Sequence, residues 1–235
     1  MQCLILAGGP GTRMRPMTER LPKSLIPVNG VPFAHYQLDR LAQQGVRKAV
    51  FAVGYLGDMI RDFVGDGGRW GLEVAWVDEG KRLRGTAGAI RFAVDEGVMD
   101  DEFMVLYGDS YPLIKLPALW EAAKGKSQPT MTVFRNDGRW DRSNVIFRDG
   151  QVELYEKGRE DEAAIGMRHI DYGLSVVNRE VIIEQVAQGE WADLANVFHR
   201  LSVKGRLLGY EVYDRFYEIG SPEGLRELEE YLGEC

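Results

Sequence analysis

The chemistry of this chain is concentrated between residues 4 and 28, LILAGGPGTRMRPMTERLPKSLIPV. A short apolar run, Leu4-Ile5-Leu6, feeds a glycine-dense turn, Gly8-Gly9-Pro10-Gly11, and Thr12, Arg13 and Arg15 follow at once. Lys23 stands ten residues beyond Arg13. Backbone N–H groups can crowd an anion only where side chains are absent, and fixed cations then neutralise what the amides cannot. The segment reads as a polyphosphate cradle, so a nucleotide is the first expectation. Two commoner glycine motifs do not fit. A dinucleotide fingerprint, G-x-G-x-x-G, needs glycine where this chain has Met14, and a Walker A loop needs Gly-Lys-Ser/Thr where Lys23-Ser24 follows Pro22.

With those excluded, LAGGPGTRMRPMTERLPKSLIPV resembles the signature of the sugar-1-phosphate nucleotidylyltransferases, a G-x-G-T-R-(M/L)-x-P-x-T-x-x-x-P-K run. Later landmarks extend the resemblance over the whole chain, and its length suggests the short, single-domain members, with the heptose and hexose 1-phosphate guanylyltransferases as the nearest type. The resemblance implies a reaction in which a sugar 1-phosphate oxygen attacks the α-phosphorus of a nucleoside triphosphate and pyrophosphate leaves. It implies Leu6, Ala7, Gly8, Gly9, Gly11 and Thr12 around the nucleotide, Arg13 on the triphosphate in the transition state, and Lys23 on the phosphates of both reactants. Such chemistry asks for positioning and charge neutralisation rather than a covalent nucleophile.

Asp109 follows the apolar run Phe103-Met104-Val105-Leu106-Tyr107, at the carboxyl edge of a strand where open α/β sheets place ligands. Magnesium takes hard oxygen ligands and keeps several waters, so one or two carboxylates suffice. The family's second metal carboxylate lies in a D-x-G pattern before the last helix, and here Glu218 occupies the aspartate's place in Glu218-Ile219-Gly220. Mg²⁺ is the expected cofactor, held by Asp109 and Glu218. Gly85-Thr86-Ala87-Gly88 resembles the family's second nucleotide segment at the head of a helix. Upstream, Glu79 stands beside Asp78 where related enzymes choose the base. A carboxylate there can accept from guanine N1–H and N2–H, which favours GTP. Glu156-Lys157 resembles the family's pair for sugar hydroxyls and the 1-phosphate, and Asn144 and Gly173 fall near its other sugar segments. His35, His169 and His199 form no cluster and read as structural.

These residues need a scaffold that brings strand ends together. Strands are expected over 2–7, 48–53, 72–77 and 103–107, with helices over 32–44, 58–64 and 86–94. That alternation implies right-handed crossovers and a mostly parallel sheet. Further on, 130–135, 144–147, 151–155, 172–177 and 207–212 read as extended, with Asp149-Gly150 as a hairpin turn. Segments 178–188 and 193–203 read as helices, as does 222–232 with Ser221 as its N-cap. The expected fold is α/β, a three-layer Rossmann-like sheet flanked by helices, in one domain over 1–235. Its nucleotide half spans about 1–110 and its sugar-phosphate half about 111–235.

The 235 residues can bury a sizeable core, and 45% hydrophobic with 28% charged content is ordinary for a globular protein. A formal net charge of −7 argues against a general nucleic-acid or anionic-membrane surface. Cys3 and Cys235 suggest neither a metal site nor a disulfide framework, so a reducing cytoplasm is the expected compartment. The expected partners are an NTP and a sugar 1-phosphate, with no nucleic acid and no membrane, and self-association into a homo-oligomer is left open. Rival readings are cytidylyl or uridylyl transfer to another sugar phosphate or to phosphocholine, and a catalytically weak nucleotide-sugar sensor.

Overall fold

The computed structural model describes residues 1–234, and Cys235 lies outside the described residues. The chain opens with β1 (Gln2–Ala7), followed by single 3-10 turns over Thr12–Met14, Met17–Glu19 and Lys23–Leu25. A two-stranded ribbon, β2 (Pro27–Val28) with β3 (Val31–Pro32), leads into α1 (Phe33–Gln43). Then come β4 (Lys48–Val53), α2 (Gly57–Val64), β5 (Glu73–Asp78), α3 (Gly85–Asp95) and β6 (Glu102–Tyr107). The short strand β7 (Ser110–Tyr111) and α4 (Leu116–Ala123) precede β8 (Thr130–Arg135), β9 (Val145–Arg148), β10 (Gln151–Tyr155) and β11 (His169–Asn178). The remainder is α5 (Arg179–Gln185), α6 (Leu194–Val203), β12 (Leu208–Val212), β13 (Tyr217–Glu218) and α7 (Pro222–Gly233).

One nine-stranded sheet, in the order β5-β4-β1-β6-β11-β8-β12-β10-β9, runs through the protein. The strand–helix alternation of the first half yields parallel pairing of β5, β4, β1 and β6. The second half departs from the parallel expectation: β11 runs antiparallel to β6 and β8, and β9 pairs antiparallel with β10 across Asp149-Gly150. The short turn returns β10 alongside β9, whereas β12 reaches its parallel place beside β8 by a crossover. Both turn residues have positive φ, 48° at Asp149 and 80° at Gly150, as a two-residue hairpin requires.

Alternation along β1 builds two cores. Cys3 and Ile5 face α1, α2 and α4, packing with Leu38, Ile60 and Leu119, while Leu4 faces α3, α5 and α6, packing with Ile90, Ile182 and Phe198. Helices cover both faces, giving the three layers. A third cluster, including Met14, Ile26, Phe33, Tyr111, Ile219 and Leu228, fixes α7 and the loop after β1. Ser221 caps α7, accepting from Gly224 N at 3.0 Å. Cys3 is a free thiol, and burial pushes its pKa up to about 12. No helix among the described residues is long and apolar enough to cross a membrane.

Candidate active site

The site lies where β1 and β6, adjacent and parallel at the middle of the sheet, end in glycine turns. After β1 the chain enters a left-handed Gly11, φ 58°, whose carbonyl accepts from Thr18 Oγ1 at 2.9 Å. A Cβ at Gly11 would meet Thr18 and Lys23 side-chain carbons, so the loop closes on itself only with glycine there. The third 3-10 turn brings Lys23 forward, and Ser24 Oγ ties it to Gly108 O at 3.2 Å.

Asp109 is held from three sides. Gly108 N donates to Leu6 O at 3.0 Å, Ile219 N donates to the carbonyl of Asp109 at 3.0 Å, and Gln37 Nε2 donates to the Tyr107 and Ser110 carbonyls. On this fixed turn Lys23 Nζ lies 2.7 Å from Asp109 Oδ2. β13 pairs with β7, setting Glu218 opposite Ser110. At Gly220, the position of a Cβ would be 3.1 Å from Arg13 Nη2 and 3.2 Å from Asp109 Oδ2, with Glu218 Oε2 closer than either. Arg13, Asp109 and Glu218 therefore converge over a residue that must lack a side chain. Glu218 is itself anchored, Oε1 accepting from Ser221 Oγ at 2.6 Å and Oε2 from Gly220 N.

Two cavities meet here. The smaller, about 220 Å³, is walled by Leu6, Ala7, Gly8, Gly9, Gly11, Lys23, Glu79, Gly85 and Thr86. The wider, about 830 Å³, takes Arg13, Glu218, Asn144, Lys157 and Gly173 into its wall. Tyr107 and Asp109 line both. Glu79 is 8% exposed; its Oε2 accepts from Arg84 N at 2.6 Å, and burial raises its pKa against the opposing pull of Arg84. Thr86 joins two helix starts, accepting from Leu194 N at 2.7 Å and donating to Asp193 Oδ1.

The profile of the Nucleotidyl transferase family matches residues 2–204. The chain belongs to that family. This nucleotidyl transferase is 25% identical over 235 residues to D-glycero-alpha-D-manno-heptose 1-phosphate guanylyltransferase of Aneurinibacillus thermoaerophilus, covering 99% of this chain and 98% of the relative. It is 37% identical over 234 residues to N-acetylmuramate alpha-1-phosphate uridylyltransferase of Neisseria meningitidis, covering 99% of each. Among solved structures it superposes on HddC from Yersinia pseudotuberculosis complexed with GMP-PN with a TM-score of 0.79 and 25% identity, covering 98% of this chain and 99% of that one.

Not every residue expected at the site of this nucleotidyl transferase lines a cavity. Thr12 is exposed on its 3-10 turn. Ala87 and Gly88 pack inward, both N–H groups donating to Ala192 O, so they seat α3 rather than wall the smaller cavity. Glu156 lines neither cavity and pairs with Arg159 at 2.7 Å. Asn144 lines the wider cavity and also braces it, its Oδ1 accepting from Asp171 N at 2.9 Å. The three histidines make separate contacts, His35 with Trp70, His169 with Glu211 and His199 with the Tyr155 carbonyl.

Asp171 is the residue the motif reading passes over. Its carboxylate accepts from Tyr155 Oη at 2.9 Å and Gly173 N at 3.0 Å, and Lys157 Nζ lies 3.7 Å away. Lys157 also stands 5.7 Å from the ring centroids of both Tyr107 and Tyr155. A buried carboxylate and two aromatic faces thus set the direction of this lysine. Its sequence signal is its place immediately before the apolar run 172–177, two residues ahead of Gly173.

Proposed function

We propose that this chain transfers a nucleotidyl group from an NTP to a sugar 1-phosphate, giving an NDP-sugar and pyrophosphate. The observation that carries the reading is the shared wall: two cavities, one glycine-lined and one polar, meet at Tyr107 and Asp109. A triphosphate in the smaller cavity and a sugar phosphate in the wider one would meet beside Lys23, Arg13 and Asp109. The sugar-phosphate oxygen forms a bond to the α-phosphorus. The bond from that phosphorus to the β-phosphate bridging oxygen breaks, and pyrophosphate departs with the electron pair. Lys23 and Arg13 offset charge gathering on the phosphates, and Lys157, directed by Asp171, receives the sugar phosphate.

Asp109 and Glu218 would hold Mg²⁺. Both are hard oxygen donors converging at Gly220, and each carboxylate keeps lone pairs beyond those used by Lys23, Gly220 and Ser221. No cluster of three or more candidate ligands occurs among the described residues, and Mg²⁺ with waters and substrate phosphates needs none. When bound, the ion supplies positive charge to the reacting phosphates.

GTP is the favoured donor. Glu79 stands in the wall of the smaller cavity, with Oε2 engaged by Arg84 N and Oε1 available to accept from guanine. The guanylyltransferase relative and the GMP-PN complex support the same choice. A second reading, uridylyl transfer, is favoured by the 37% identity to a full-length uridylyltransferase, and a cytoplasmic setting suits either. Pyrophosphate release across four NTPs and a panel of sugar 1-phosphates separates them. Turnover restricted to GTP supports the first reading and restriction to UTP the second, while silence with every pair removes both.

A further inference from the structure

Six cations face the wider cavity: Arg13, Arg139, Arg142, Lys157, Arg159 and Arg215. Four have assigned partners or places. Lys157 faces Asp171, Arg159 bonds Glu156 and Asp161, Arg215 reaches Glu227 at 2.6 Å, and Arg13 stands beside Asp109 and Glu218. Arg139 and Arg142 remain. The carboxylate facing Arg139, Asp137, is 3.8 Å away and is already 3.2 Å from Arg135. Arg142 has no carboxylate partner among the described residues, and its Nη1 reaches only the Arg159 carbonyl, at 3.4 Å.

The loop that carries both is built rather than slack. Asn136 at its root is fully buried, donating from Nδ2 to Asp141 O at 2.5 Å and accepting on Oδ1 from Trp140 N at 3.2 Å. Its own N–H donates to Arg168 O at 2.9 Å, and Asp141 Oδ1 fixes the Arg142 N–H at 2.7 Å. In a chain of net charge −7, the Arg142 guanidinium stands without a carboxylate partner on an anchored loop lining a substrate cavity, while Arg139 beside it shares Asp137 with Arg135 and lies over the Trp140 ring, 5.4 Å from its centroid. A guanidinium fork matches carboxylate and phosphate oxygens in pairs. The loop is a different wall from the turn bearing Asp109, where the reacting phosphate belongs. Resting on the transfer reading of this cavity, we infer that the acceptor carries a second anionic group, a carboxylate or a second phosphate, which Arg142 receives with Arg139 beside it.

The test measures calorimetric binding and pyrophosphate release for two matched pairs of acceptors. N-acetylglucosamine 1-phosphate and N-acetylmuramic acid 1-phosphate differ by a lactyl carboxylate, and glucose 1-phosphate and glucose 1,6-bisphosphate by a phosphate. At least one anion-bearing member is expected to bind tenfold or more tightly than its neutral counterpart. That preference is expected to shrink at least fivefold in Arg142→Gln and to return in part in Arg142→Lys. The pair that responds identifies the anion. Equal binding within both pairs, or an undiminished preference in a folded Arg142→Gln protein, overturns the inference. Anion preference in binding without pyrophosphate release would leave the second-anion site standing and remove the transfer reading. Release with neutral and anionic acceptors alike, with no binding preference, does the reverse.

Discussion

Lys23 and Asp109, separated by 86 positions in sequence, form a partly buried ion pair with Nζ 2.7 Å from Oδ2 at the junction of the two cavities. The pair joins the loop after β1 to the turn after β6, so the phosphate cradle and the carboxylate turn act as one surface. Its placement argues for phosphate chemistry rather than for stability. Lys23→Ala is expected to lower kcat/KM well over tenfold, more than about 1.4 kcal/mol of transition-state stabilisation, with thermal unfolding little changed. Near-normal steady-state turnover would remove the role assigned to Lys23.

Glu218 resolves its extra methylene by folding back over Gly220 and Gly224. A Cβ on Gly224 would collide with Glu218 Oε1 and the Glu218 backbone carbonyl. Gly224→Ala should therefore displace the carboxylate and lower Mg²⁺-dependent activity at least fivefold in a folded protein. Glu218→Asp is expected to retain Mg²⁺-dependent turnover, and Glu218→Gln to raise the Mg²⁺ concentration needed for half-maximal rate. A metal titration unchanged in Glu218→Gln would show that this carboxylate is not a ligand.

Asp171 tests how Lys157 is directed. Asp171→Asn keeps the shape but removes the charge 3.7 Å from Lys157 Nζ. The expected result is a KM for the sugar phosphate raised at least threefold, with the KM for nucleotide little moved, read in two substrate titrations. Equal changes in both constants would point to a general loosening of β11 instead.

Glu79 supplies a pH signature. Burial raises its folded pKa above the ordinary glutamate value, so over a window of pH the native state holds a proton that the unfolded chain has already released. In the window from the ordinary glutamate value up to the raised folded one, stability therefore falls as pH rises. Glu79→Gln should flatten that slope in denaturant titrations across mildly acid pH and weaken discrimination among the four NTPs. An unaltered slope and unaltered base preference would both contradict the placement of this carboxylate.

Much of this arrangement is legible in the chain. β8 over Thr130–Arg135 and β10 over Gln151–Tyr155 fall where the apolar patterns put them, as does the Ser221 cap. β11 begins at His169, three residues before its apolar run, because Asp171 is satisfied by Tyr155 and Gly173 rather than by solvent. α4, LPALWEAA with Pro117 in its first turn, is apolar almost throughout and so shows no helical period, and β7 and β13 are only two residues each. At the site, the residues carried by glycine turns come together at the cavities, whereas Thr12, Ala87, Gly88 and Glu156 lie off the walls. Spacing does not reveal that Ala192 competes for the head of α3, or that Arg159 claims Glu156. Arg142 stands out only once the other cations lining the wider cavity have been placed.

The most direct test of the proposed reaction follows the oxygens. The protein is incubated with Mg²⁺, GTP and a sugar 1-phosphate whose phosphate oxygens are labelled with ¹⁸O, and the products are weighed by mass spectrometry. Attack by the sugar phosphate on the α-phosphorus is expected to leave all of the label in the NDP-sugar and none in pyrophosphate. Label in pyrophosphate, or no NDP-sugar with any of the four NTPs and any labelled acceptor, would contradict it.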